Sequence, residues 1–317
     1  MAEPNTLTSR ITSDQLGALA QKEALSLVIV DSGMGGLAIC AGIVDGLVQQ
    51  GHFKQVEVTY FNAWPERNRG YNALRDSDEC IRAFDAALTG MQAFVPDMVL
   101  IACNTLSVIY PQTAFSRCAH MPVVGIVDFG VDLILRHLVR QPDSQVIILG
   151  TLTTIAAGIH RDTLIANGID GRRIVSQACD QLATEIEKGP DSPMVHAMID
   201  DFVVQAASKL NYPNASVSAA FCCTHYGYSR AYFKKSLETY TGSSTKVLNP
   251  NKAMEAYLLS LFNKDCFPET ALGLTVVSRI QWSRRKVAAI VNALKPVSPF
   301  TAQALLNYRY DPELFSF

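Results

Sequence analysis

The chain has 317 residues, with 27 Lys+Arg against 29 Asp+Glu and a formal net charge of -2. Hydrophobic residues make up 49% and charged residues 18%, which supplies a sizeable core and excludes a disordered chain. The near-neutral balance lacks the basic footprint of a dedicated nucleic-acid binder, so no nucleic-acid partner is expected.

In chain order, residues 1–25 form a polar N-terminal extension without the apolar stretch of a signal peptide, read as a packed surface helix. Strand-like runs follow at 27–30, 56–61, 97–102, 123–127, 146–150, 174–177, 217–222 and 245–248. Helical periodicity lies between them, at 37–48, 78–91, 131–139, 155–167, 193–210, 229–240 and 252–262. This alternation predicts an α/β fold with largely parallel sheets, and near-continuous apolar runs such as VIIL and MVLIA predict sheets covered on both faces. No run reaches the ~18–20 apolar residues of a membrane span. No membrane contact is expected, and a cytoplasmic location is.

Eight cysteines, at 40, 80, 103, 118, 179, 222, 223 and 266, are the most unusual count. Reduced thiols are expected in the cytosol. There is no CxxC pair, so no structural metal site is expected. On a strand, Cys222 and Cys223 would point to opposite faces. Two of the eight occupy matched positions. Asp31 and Thr151 close corresponding strands 120 residues apart, and Cys103 and Cys223 are also 120 apart. Each cysteine is followed by short polar residues, Asn104-Thr105 and Thr224-His225. The echo predicts two similar lobes, pseudo-twofold related, each a parallel sheet flanked by helices. Each would present one thiol at a strand's C-terminal end, where open α/β sheets bind ligands. The expected boundaries are 26–127 plus 229–263 for the first lobe and 128–228 for the second. Residues 264–317 form a C-terminal extension, with a strand at 274–280 and a helix from Ser283 whose Arg284, Arg285 and Lys286 read as a solvated face.

Four ordered segments carry a resemblance: Asp31-Ser32-Gly33-Met34-Gly35-Gly36, Ala102-Cys103-Asn104-Thr105, Gly150-Thr151-Leu152-Thr153-Thr154 and Cys222-Cys223-Thr224-His225-Tyr226. Over residues 26–262 the chain resembles the cofactor-independent aspartate/glutamate racemase family, as a divergent member nearest its glutamate-specific branch. The resemblance implies conversion of L- to D-glutamate for cell-wall peptidoglycan by two thiols, without pyridoxal phosphate or metal. It implies a small acidic amino acid as partner and, by analogy, a homodimer. Cys103 would act on the D-enantiomer and Cys223 on the L-enantiomer. The chemistry fits: two bases on opposite faces exchange a Cα proton directly, and a thiol near its usual ~8.5 needs only modest help to ionise. Asp31 is the expected neighbour of Cys103, and His225 that of Cys223. Ser32, with the backbone N–H groups of Gly33–Gly36, would receive a carboxylate. Asn104, Thr105, Thr151, Thr154 and Thr224 would supply neutral donors; the threonines of GTLTT also suit a helix cap.

Three departures bear on the substrate. Asn68-Arg69-Gly70 stands where the family has a PYG-like segment, and Arg69 either faces solvent or selects a different acid. Gly227 stands where the family has proline. Asp128 lies near a family glutamate or histidine and would approach the second thiol or His225, or cap the following helix. The alternatives are racemisation of aspartate, hydantoin or another acid, or a non-catalytic dicarboxylate-binding regulator.

Overall fold

The computed structural model describes residues 11–242 and 244–317; residues 1–10 of the expected N-terminal extension lie outside them. The chain opens with α1 (Ser13–Ala20), capped by Thr12, whose side chain accepts from Gln15 N. There follow β1 (Ala24–Asp31), α2 (Leu37–Gln50), β2 (Gln55–Asn62), α3 (Ser77–Gly90), β3 (Met98–Ile101), α4 (Asn104–Ile109), β4 (Val123–Gly125) and α5 (Val127–Arg140). The second series is β5 (Gln145–Gly150), α6 (Leu152–Ala156), α7 (Ile159–Ala166), β6 (Ile174–Ala178), α8 (Leu182–Lys188), α9 (Pro193–Ala207), β7 (Val217–Cys222), α10 (Arg230–Thr241) and β8 (Lys246–Leu248). The chain ends with α11 (Pro250–Ser260), β9 (Ala271–Ser278), α12 (Arg284–Leu294), α13 (Pro299–Leu306) and β10 (Arg309–Tyr310).

Two sheets result, ordered β10-β9-β2-β1-β3-β4 and β6-β5-β7-β8, and the strand pairs in both are parallel. The segment β2-β1-β3-β4 and the whole of β6-β5-β7-β8 share one order, which is the structural form of the 120-residue echo. Three apolar clusters fill the layers. One packs the first sheet against α2, α11, α12 and α13, and one packs the second sheet against α8, α9 and α10. The third runs between the sheets through α3, α4 and α5. With both faces covered, the central strands are apolar along nearly their whole length.

Some elements differ from expectation. The expected helix over 155–167 is two helices, broken where Gly158 takes φ 69°, a left-handed conformation that glycine tolerates at little cost. The return to the first lobe was expected at 229. Strand pairing moves it later: α10 packs on α9, β8 pairs with β7, and α11 is the element that crosses to pack on α2. The C-terminal residues are not an appendage. Strand β9 pairs with β2 along eight residues and extends the first sheet, while α12 and α13 cover it. Among the described residues no helix is long and apolar enough to cross a membrane.

Candidate active site

The loops after β1, β3, β5 and β7 converge at the C-terminal ends of their strands. With the loop after β2 and α8 they enclose a cavity of ≈ 250 Å³, at the small end for ligand pockets. Ser32, Asn68, Gly70, Cys103, Asn104, Thr105, Thr151, Cys223, Thr224 and His225 all line it. Cys103 precedes α4 with extended backbone and is 7% exposed; Cys223 follows β7 and is 5% exposed. The two thiols therefore enter one small cavity from different sheets. Cys222 packs in the inter-sheet core and Cys223 in the core of α8–α10, so the adjacent cysteines do face opposite ways.

The two thiols have unlike surroundings. Cys103 Sγ lies 3.1 Å from Ser32 Oγ. Burial, followed by the negative charge of Asp31, pushes this thiol up to about 12, against the pull of the Ser32 hydrogen bond. Cys223 Sγ lies 3.7 Å from His225 Nδ1, and His225 Nε2 lies 2.9 Å from Glu187 Oε1. Burial opposes charge on His225, but hydrogen bonding to Cys223 and Glu187 outweighs it and holds the imidazole well above its usual range. Glu187 is buried too, yet His225 and Lys286 overcome desolvation and hold its carboxyl down at about 2. The second thiol thus sits beside an imidazolium backed by a carboxylate.

Asp31 was expected beside Cys103, and the geometry differs. Its Oδ1 accepts from Gly33 N at 2.7 Å and its Oδ2 accepts from Thr224 Oγ1 at 3.1 Å. It is fully buried, does not line the cavity, and acts on Cys103 through its charge rather than by a hydrogen bond. Burial raises its own carboxyl. The Gly33–Gly36 N–H groups were expected to hold a substrate carboxylate. Two of them hold the site's own acids instead, Gly33 N on Asp31 and Met34 N on Glu187 at 2.9 Å. Gly35 is required for space: a Cβ there would strike Thr224 Oγ1 and the His225 ring.

Three further residues need correction. Arg69 does not enter the cavity. Its guanidinium donates to Glu66 Oε2 at 2.8 Å and to Glu79 Oε1 at 3.1 Å, a pair of charge-assisted contacts outside the cavity. Thr154 is buried behind the wall, 3.0 Å from Thr151 Oγ1 and 3.3 Å from Thr105 Oγ1. Asp128 lies in the first turn of α5 and does not line the cavity; Glu187 is the acid that meets His225. Thr151 caps α6 through Thr154 N at 3.2 Å and also lines the cavity. Gly70 has φ -88°, so what it supplies is room: a Cβ would fall 2.5 Å from the Trp64 ring.

Glu187, Trp64, Cys179 and Gln181 line the cavity without having been singled out in the sequence. The signal for Glu187 was an acid beside the apolar face that Leu182 and Ile186 mark on α8. Asn104 is the most exposed to ligand chemistry in one sense: both side-chain polar atoms are buried and lack a hydrogen-bond partner. An unpaired buried amide is costly, and a ligand at this wall would satisfy it.

Comparison with known proteins identifies the family and the fold. The family model described as Asp/Glu/Hydantoin racemase matches residues 35–217. The chain belongs to the Asp/Glu/hydantoin racemase family. A glutamate racemase of Campylobacter jejuni is 27% identical over 245 residues, covering 76% of this chain and 87% of that protein. One from a Nitratiruptor species is 27% identical over 199 residues, covering 62% and 70%. Among solved structures, the glutamate racemase of C. jejuni superposes with a TM-score of 0.62 at 21% identity, over 86% of this chain and 98% of that one. The Francisella tularensis glutamate racemase, solved with D-glutamate, gives a TM-score of 0.64 at 16% identity, over 86% and 94%. These racemases share the fold built here from two parallel sheets.

Proposed function

We propose that this racemase interconverts L- and D-glutamate by a two-thiol transfer at Cα. The observation that carries the reading is that Cys103 and Cys223, from equivalent strand ends of two sheets, open into one small cavity. In the L-to-D direction, Cys223 as thiolate removes the Cα proton, with the adjacent His225 imidazolium favouring the thiolate. The Cys103 thiol, held protonated by burial and by Asp31, delivers its proton to the opposite face. One C–H bond breaks and one forms, and the two sulfurs exchange protonation states. The reverse direction starts from Cys103 as thiolate. The substrate ammonium is the natural source of the positive charge that ionisation requires there.

The remaining wall binds and orients. The unpartnered Asn104 amide, Asn68 and the hydroxyls of Ser32, Thr105, Thr151 and Thr224 offer neutral donors and acceptors to two carboxylates and an ammonium group. Oriented dipoles of this kind stabilise charge developing at Cα without protonating the working thiolate. The decisive experiment supplies each glutamate enantiomer in deuterium oxide and follows rotation and deuterium at Cα. Racemisation with one deuterium entering the product supports the reading; no turnover of glutamate in either direction overturns it.

A further inference from the structure

Lys286 was expected on a solvent-facing run, and its neighbours Arg284 and Arg285 are exposed. The Lys286 side chain is only 22% exposed, and its Nζ donates to Glu187 Oε2 at 2.7 Å. The same ammonium lies 5.9 Å from the centre of the Trp64 ring, a wall of the cavity. It arrives on α12, which packs against α2 and α13 on the first sheet, whereas Glu187 stands on α8 beside the second. The pair therefore spans the two halves of the molecule. It occupies the carboxylate oxygen opposite the one that faces His225.

We propose that Lys286 is a positioning residue for the second thiol: by holding Glu187 ionised and oriented, it fixes the charge of His225 and makes the C-terminal helix part of the active site. The proposal rests on the reading of Cys223 and His225 as one acid–base unit. The groups facing Glu187 are His225 from the turn after β7, Asp31 from the end of β1, Tyr60 from β2, Tyr228, and Lys286 itself. Within this set Asp31 and Glu187 are the two carboxylates, and His225 and Lys286 are the two groups able to balance them. Removing Lys286 leaves the cluster one positive charge short, and a buried cluster relieves that by taking up a proton. Glu187 is the group from which Lys286 withdraws that tendency, through both its charge and its hydrogen bond.

The test is alkylation by iodoacetamide from acid to alkaline pH, with the Cys103 and Cys223 peptides quantified separately by mass spectrometry. In Lys286→Met, the acid limb of Cys223 alkylation should move up by about one pH unit or more, the scale of a lost opposite charge at close range. Cys103 should keep its profile in the same molecules, which certifies the fold. Lys286→Arg should restore the Cys223 limb. Arg285→Ala, which removes the 3.3 Å bond to Lys188 O, should leave both limbs in place. An unchanged Cys223 limb in Lys286→Met overturns the proposal. So does an equal shift in Arg285→Ala, or a joint shift of both thiols, since helix docking rather than the Lys286 charge would then be at work. Alkylation needs no substrate, so failure of glutamate turnover leaves this result standing.

Discussion

Replacing Glu187 by glutamine removes one negative charge from a buried site with almost no change in side-chain volume. Glu187 Oε1 accepts from His225 Nε2 and from Met34 N, both at 2.9 Å, and the Glu187 side chain is 5% exposed. A hydrogen bond to a charged group contributes ~1.5–3 kcal/mol. At ~1.36 kcal/mol per pKa unit, that is about one to two units on the imidazolium. The direction follows from the balance at His225, where burial pulls the value down and Cys223 and Glu187 hold it up. Without the carboxylate, desolvation gains, and the His225 value falls. An imidazole with a lowered value is charged only at more acid pH, so the alkaline limb of the activity profile, set by loss of the imidazolium, should move to lower pH. At neutral pH kcat should fall about 10²-fold, the low end of what general acid–base groups contribute. KM should change by less than about threefold, because the Glu187 oxygens are already occupied by protein donors. Racemisation followed by circular dichroism across pH, with NMR titration of ring-labelled histidine, checks both halves. A His225 titration that does not move, or a kcat within about twofold of the parent at neutral pH, would refute the reasoning.

Further outcomes follow from the same geometry. Cys103→Ala and Cys223→Ala should each abolish racemisation, a loss of at least about 10³-fold with one of two transfer groups missing; substantial activity in either variant would sink the two-thiol reading. Asn104→Ala should raise KM about tenfold or more, since a bond to a charged substrate group is lost. Its melting temperature should not fall, because the buried amide has no protein partner to lose; a destabilised variant with normal KM would assign Asn104 to the scaffold. Arg69→Ala should leave KM for glutamate within about threefold, as its guanidinium is held by Glu66 and Glu79 outside the cavity. A tenfold rise, about 1.4 kcal/mol of binding, would restore it as a substrate contact.

Much of the site was legible because its residues lie in short contiguous motifs at strand ends. Cys103-Asn104-Thr105 and Cys223-Thr224-His225 each occupy one turn after a buried strand, so sequence adjacency and spatial adjacency coincide. Period and apolar continuity likewise located the central strands, since a strand covered on both faces has little freedom in composition. The alternatives for Arg69 and Asp128 stayed open in the sequence because a charged side chain goes to whichever opposite charge or solvent is nearest in space. Chain position does not encode that. The break at Gly158 escaped for a related reason, because one positive φ interrupts a helix without disturbing its apolar spacing.

The sequence by itself determined the alternation of strands and helices, the 120-residue echo and the two thiols at matched positions. These follow from local propensity and from burial patterns that repeat along the chain. Only the tertiary structure decided which charges meet. Glu187 on α8 and Lys286 on α12 are 99 residues apart, and Glu187 and His225 are 38 apart; none of the three has a local motif that announces the others. Burial drives their pairing: once packing removes water from α8, each charge must find a partner inside the protein. The asymmetry between the thiols, one beside a hydroxyl and a buried acid and the other beside an imidazolium, is likewise a product of packing.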